Sequence, residues 1–288
     1  MPDATNLLTV DLEEWFVVDI LSDRYTLEEW DKLPSTVTAN CRRLLETLRR
    51  CNTTATWFVL GWIAHKYPHL IREIFHEGHE IACHSYMHRR VDLMDPTAFR
   101  TDTEMAIEAI IKAVGIRPVG YRAPSWSINP GVAWAFEILG ELQFEYDSSI
   151  FPIKHDIYGI PDGPRQMFKM QLENGHTLWE VPASTCRLLG RNVPIAGGGF
   201  FRHAPYWYSR RMIRKLNSEQ QPVVVYVHPW ELDPEPPRIG GLSFLQRYRS
   251  YGATGIMRLK LERLLREFSF TTISDYLRLQ SKRQIGFR

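Results

Sequence analysis

HEIACHSYMH, residues 79–88, is the stretch on which the reading of this chain turns. HEIACHS, at 79–85, is short and apolar in its middle, so it reads as a buried strand. It runs directly into two histidines, His84 and His88, four residues apart. If 84–88 makes a helical turn at the strand end, the two imidazoles share a face. A pair with this spacing signals a metal site only when the rest of the chain supplies a scaffold, a third ligand, a base and an acid.

The scaffold comes first. Strands are also predicted at LLTVDL (7–12), TATWFVLGW (54–62), PVGYRAP (118–124), FEYDSSIF (144–151), TLWEVPAS (177–184) and PVVVYVHPW (222–230), with FTTISDY (270–276) as a last one. Helices alternate with them. They are predicted at 35–51 behind a Ser/Thr cap, 69–78 closed by Gly78, 96–115 with Pro near its start and Gly at its end, 129–142, 206–220, and as one long stretch over 243–268. IPDGPRQ (160–166) and the GGG run at 197–199 read as loops. Repeated β-then-α units imply a parallel sheet covered by helices. Seven or so strands with no Pro/Gly-rich linker favour one α/β barrel or incomplete barrel over two domains.

Composition narrows the classes. The 288 residues are 44% hydrophobic and 24% charged with a net charge of +2, as in an ordinary globular protein. No basic run stands out, which argues against a nucleic-acid binder; the Arg pairs at 42–43, 49–50 and 210–211 read as solvated helix faces. Cys41, Cys51, Cys83 and Cys186 fit neither a zinc knuckle nor a disulfide framework, so reduced thiols are expected. MPDATNLLTVDLEEW has no basic segment followed by an apolar one, and no apolar stretch approaches a membrane span. Cytoplasmic localisation is the expectation that follows.

In parallel α/β folds the active site gathers at the C-terminal ends of the strands. Asp11 and Glu13 fall at the end of the first predicted strand, His84 at the third, Arg122 at the next, and Asp147 and His228 at later ones. In VDLEEW, strand alternation points Asp11 and Glu13 the same way, and two carboxylates on one face need a cation or a proton between them. Glu13, His84 and His88 then form a three-ligand set with open positions, as in catalytic zinc sites. Asp11 is placed as base, with Arg122 as a bidentate partner that orients it. His228 is placed as acid. Asp147 has two possible partners, His228 and Arg122, and the sequence leaves both open. His76 and His79 read as surface residues, and His65, His69, His155, His176 and His203 have no partner in sequence.

Together these residues resemble the NodB-homology polysaccharide deacetylases, carbohydrate esterase family 4. VDLEE stands where that family has its Asp-Asp motif, HSYMH matches its His-Ser/Thr-x-x-His motif, YRAPSW its Arg-x-Pro motif and VVYVHP its Leu-x-His motif. The stretch LWEVPASTCRLLGRNVPIAGGGFFR further resembles the branch encoded with exopolysaccharide biosynthesis genes. The resemblance implies a distorted (β/α)7 barrel over residues 1–288, with 231–268 as a helical insertion or extension. It implies Zn²⁺, or another divalent ion such as Co²⁺ or Ni²⁺, on Glu13, His84 and His88, Asp11 as base, Arg122 as its orienter and His228 as acid. A backbone N–H near Ser125 would help stabilise the oxyanion. Trp126 and Trp230 are placed either to stack on sugar rings or as buried aromatics. The implied reaction is hydrolysis of an N-acetyl group on an amino sugar of a polysaccharide or its oligosaccharide precursor, with release of acetate. Alternatives are a same-fold amidohydrolase acting on a small C–N bond, as in allantoinases, and a catalytically silent sugar-binding protein; a homo-oligomer is left open. The chain departs from the family in one place. Its carboxylates are Asp11-x-Glu13 rather than adjacent aspartates, one residue further apart and one methylene longer.

Overall fold

The computed structural model describes residues 5–18, 21, 24–156 and 158–285, with side chains to 281. Residues 1–4, part of the stretch read for a leader, lie outside the described residues. In chain order the elements are β1 (Asn6–Leu12), α1 (Leu27–Trp30), α2 (Val37–Arg50), β2 (Thr56–Val59), α3 (Gly61–Lys66), α4 (Pro68–His76), β3 (Glu80–Cys83), α5 (Pro96–Val114), β4 (Gly120–Tyr121), α6 (Trp134–Glu141), β5 (Tyr146–Asp147), β6 (Phe168–Gln171), β7 (Thr177–Glu180), β8 (Thr185–Leu188), β9 (Arg191–Pro194), α7 (Gly198–His203), α8 (Tyr206–Ser218), β10 (Val224–Val227), α9 (Phe244–Tyr251), α10 (Thr254–Glu267), β11 (Phe270–Thr271) and α11 (Ile273–Ile285).

The strand order β10-β1-β2-β3-β4-β5-β7 joins seven parallel strands among the described residues, and β6 adds antiparallel to β7 at the edge. The curled sheet with its covering helices is a distorted (β/α)7 barrel. β11 pairs with β1 at Asn6 and Leu7, and β8–β9 is a separate hairpin.

Alternation along β1 separates two environments. Leu8, Val10 and Leu12 face the helices in the main core cluster, whereas Leu7 joins Phe58, Ala82, Tyr146, Val181 and Val224 in an inner cluster. Ile273 and Leu277 of α11 belong to that inner cluster, where Glu80 accepts bonds from Thr56, Tyr146 and Ser274. A Cβ at Gly120 would lie 1.9 Å from the Tyr146 ring, so only glycine lets these strands come together. α5 is the clearest case of local sequence setting an element. Asp95 caps it by accepting the Ala98 N–H (2.8 Å), Pro96 opens it, and Gly115 ends it in the left-handed region at φ 76°.

Several elements differ from the sequence reading. The strand expected over 54–62 stops at Val59, and α3 begins at Gly61. Gly198 and Gly199 open helix α7 rather than forming a loop. The long helical stretch at 243–268 is two helices, broken where Ala253 takes φ 60°. α10 places Met257, Leu261, Leu264 and Leu265 in the main core.

His79, read as a surface residue, is buried. Its Nδ1 accepts the Ala55 N–H at 3.2 Å, so it must stay unprotonated there. Burial lowers its pKa to about 4, with Glu77 opposing. Between about pH 6.5 and 4 the unfolded chain therefore binds a proton that the folded chain refuses, and stability falls as pH drops through that window. Urea titrations at pH 7 and pH 4 should show wild type losing roughly 2–3 kcal/mol more than His79→Asn, which has no proton to gain. Equal losses would mean that His79 takes up its proton as readily folded as unfolded.

Candidate active site

The residues between the two histidines do not form the helical turn expected of 84–88. Ser85 and His88 both take positive φ, 67° and 52°, and the segment is a tight loop. Asp102, buried on α5, anchors it by accepting the N–H groups of Tyr86 (2.8 Å) and Met87 (3.1 Å). Ser85 Oγ accepts the His88 N–H at 3.1 Å. Loop closure, not helical periodicity, thus brings the rings of His84 and His88 to 5.4 Å.

His84 Nδ1 lies 2.8 Å from the Arg122 carbonyl. A carbonyl only accepts, so Nδ1 carries the hydrogen and Nε2 keeps its lone pair. Glu13, just beyond β1, places Oε2 2.7 Å from His88 Nε2, and its Oε1 accepts the Trp230 indole N–H at 3.2 Å. Glu13, His84 and His88 each offer one ligand atom, all within 4.8 Å of one another. Two neutral imidazoles and a carboxylate are a donor set that suits a divalent transition ion and leaves positions for water and substrate. Electrostatics agree with an ionised Glu13 and an unprotonated His84. Burial would raise the Glu13 carboxyl, but His88, His228 and His84 outweigh it and bring it to about 2. Burial lowers His84 to about 4, against the pull of Asp11.

Asp11 and Arg122 meet below this cluster, both almost fully buried. Arg122 Nη1 donates to Asp11 Oδ1 at 2.6 Å and to Thr9 Oγ1 at 2.9 Å. Its Nε donates to the Ser148 carbonyl (3.1 Å) and Nη2 to Ser148 Oγ (2.9 Å), while the guanidinium lies over the rings of Phe58 (4.0 Å) and Trp126 (4.5 Å). The bidentate fork expected on Asp11 is not formed. One nitrogen holds the carboxylate, and the rest of the guanidinium is fixed by β1 and the strand-end loop after β5.

His228 follows β10. Its Nε2 lies 3.5 Å from Glu13 Oε1 and 3.9 Å from Asp11 Oδ2. Its Nδ1 is 3.1 Å from Glu231 Oε2, which also accepts the His228 backbone N–H at 3.0 Å. Glu231 is fully buried, with Arg202 Nη1 3.7 Å from its other oxygen. Burial would lower His228, but Glu13, Glu231 and Asp11 reverse this and lift it to about 9. Burial would raise Glu231, but His228 and Arg202 hold it down. Sequence reasoning missed Glu231. The available signal was an acid three residues after His228 in a turn opened by Pro229, the spacing of a capping box.

Asp147 forms no hydrogen bond to His228 or Arg122 among the described residues. Its oxygens accept the backbone N–H (2.8 Å) and hydroxyl (2.7 Å) of Ser149, whose Oγ in turn accepts the Ala123 N–H at 2.8 Å. Its neighbour across the parallel pair is Glu180, also fully buried. Burial raises the pKa of both carboxyls, and the proximity of Asp147 lifts Glu180 further. Asp147 therefore braces the loops that carry Arg122 and Ser148 rather than reaching the cavity.

The cavity above the cluster has a volume of about 780 Å³. Asp11, Glu13, His84, His88 and His228 line it, as do Ser125, Trp126 and Trp230. Trp126 is buried against Phe151 and Tyr226, each centroid 5.3 Å away. Trp230 stacks on His228 at 5.2 Å and has Arg202 over its ring. Both indoles are thus committed to protein partners and present only part of their surface to the cavity. His155 and His203, without partners in sequence, also line it; His65, His69 and His176 do not.

Residues 23–142 match the polysaccharide deacetylase family model, and residues 148–278 match a domain of unknown function, DUF3473. The first match contains HSYMH and Arg122 but neither Asp11, Glu13 nor His228. A peptidoglycan-N-acetylglucosamine deacetylase of Bacillus cereus is 30% identical over 96 residues, 33% of this chain and 35% of that one. The chain spans about a third of the length of the curated relatives it first matches. A solved structure from Mycobacterium smegmatis, assigned to the polysaccharide deacetylases, superposes with a TM-score of 0.62 at 21% identity, covering 98% of this chain and 93% of that one. An allantoinase superposes with the same TM-score at 16% identity over 94% and 88%. The fold is shared with both; the polysaccharide deacetylase match covers residues 23–142, and the two curated deacetylase relatives are similar over 42% and 33% of the chain.

Proposed function

We propose that this protein is a metal-dependent hydrolase that removes N-acetyl groups from amino sugars of a polysaccharide or its oligosaccharide precursor. The observation that carries this reading is the convergence of Glu13, His84 and His88 within 4.8 Å beside the buried Asp11–Arg122 pair and His228. Glu13, His84 and His88 would hold a zinc or similar divalent ion. Bound there, such an ion polarises a carbonyl and makes water a stronger acid.

The chain's own residues divide the remaining work. Asp11, oriented by Arg122, takes the proton of the attacking water as its oxygen bonds to the acetyl carbon. His228, oriented through Nδ1 by Glu231, gives a proton from Nε2 to the departing amine as the C–N bond breaks. Acetate and the free amino sugar leave. The backbone N–H near Ser125 is the proposed donor to the acetyl oxygen. The segment 178–202, which resembles the exopolysaccharide branch, supplies Gly198, Gly199, Phe200 and Arg202 to the cavity wall. That placement favours an exopolysaccharide unit as substrate.

Elemental analysis of purified wild type and of His84→Ala/His88→Ala, paired with acetate release from N-acetylated oligosaccharides, tests the reading. About one transition metal per chain, absent from the double variant together with acetate release, is the expected result. Wild type that takes up no metal even after zinc is added back would shift the assignment to a small-molecule amidohydrolase. Metal binding with no turnover on any saccharide would favour the sugar-binding reading.

A further inference from the structure

The segment after the His228 turn carries a surface that the chemistry above does not use. α9 buries none of its side chains, although Phe244, Leu245, Tyr248 and Tyr251 make up half of it. Phe244 is 86% exposed and Leu245 55%, and on α10 Ile256 and Leu259 are exposed as well. The cations among them are also exposed: Arg247, Arg249, Arg263 and Arg266. The acid within 243–266, Glu262, is only partly exposed and is bridged to Arg258 at 3.2 Å.

This surface is held in place. Arg202 donates to the carbonyls of Arg249 and Ser250, and His203 stacks on Tyr248 at 4.5 Å. Leu245, Tyr248 and Arg249 line the cavity together with Phe200, so α9 borders the cavity mouth. Large apolar side chains clustered in water call for a cover. Here they are interleaved with exposed arginines and no exposed carboxylate. The complement of that pattern is a layer that is anionic outside and apolar beneath.

We propose that α9 and the exposed edge of α10 dock the protein onto an anionic phospholipid bilayer, with Phe244 and Leu245 entering the headgroup boundary and the arginines meeting lipid phosphates. The cavity mouth then lies at the membrane surface, where a lipid-attached saccharide would be presented. The docking does not depend on the deacetylase assignment, which stands or falls on metal content and acetate release.

Flotation of the full chain with vesicles of phosphatidylcholine containing about 30% phosphatidylglycerol, against phosphatidylcholine alone, tests it. Wild type should bind the anionic vesicles at least about tenfold more tightly, and less so as salt rises. Phe244→Ser/Leu245→Ser and, separately, Arg249→Glu should each weaken that binding by about tenfold with an unchanged melting temperature. Wild type that ignores anionic vesicles, or variants that float as well as wild type, would overturn the proposal. Self-association of wild type that the Phe244→Ser/Leu245→Ser change abolishes, without vesicle binding, would overturn it in favour of an interface between two copies.

Discussion

Asp11→Asn is expected to lower kcat on an N-acetylated oligosaccharide by roughly 10²–10⁴-fold while leaving metal content and KM nearly unchanged. Asparagine keeps the shape of aspartate, and its carbonyl oxygen can still accept from Arg122 Nη1, 2.6 Å away in the parent. It cannot take a proton from water. Asp11 is not among the residues whose ligand atoms cluster within 4.8 Å, so the metal should remain on Glu13, His84 and His88. Two outcomes would sink the assignment. A variant with more than about a tenth of parental kcat places the base elsewhere. A variant that loses its metal makes Asp11 a ligand instead.

The second large effect concerns stability. Arg122→Met is expected to destabilise the metal-free protein by roughly 3–5 kcal/mol, because it leaves the Asp11 carboxylate buried without its cation. The change also removes the donors to Ser148 and Thr9. With metal bound the loss should be smaller, since a nearby cation offsets part of the stranded charge. Urea denaturation of chelator-treated and zinc-loaded protein measures both. A metal-free variant within about 1 kcal/mol of wild type would show that the Asp11–Arg122 pair is not a structural keystone. Arg122→Lys should fall between, because an ammonium keeps the charge but not the fork that reaches Thr9, Asp11 and Ser148 together.

Asp147 and Glu180 show why ionisable residues at strand ends are not all catalytic. Both lie at the C-terminal rim, as the parallel-sheet argument requires, yet their neighbours Tyr146 and Val181 take the inner face, so both point to the helix side of the sheet, where burial raises both carboxyls. Their effect on chemistry would pass through Ser149 and Ser148 to Arg122, as bracing.

Much of the site was legible before any coordinates. Alternation along VDLEEW places Asp11 on the inner side, and each of His84, Arg122 and His228 ends a segment that reads as a strand. These inferences are local, because strand periodicity and the parallel βα order act over a few residues at a time. The partners of those residues were not legible. Asp102 holds the loop between the histidines from 14 residues past His88, Glu231 rather than Asp147 orients His228, and Arg122 grips Asp11 with one nitrogen. The sequence by itself determined the strand and helix order and which side chains reach the rim. Only the tertiary structure decided which of them touch, which carboxyls are buried and where α9 borders the cavity, because those depend on distances between segments far apart in the chain and on the burial they impose on one another.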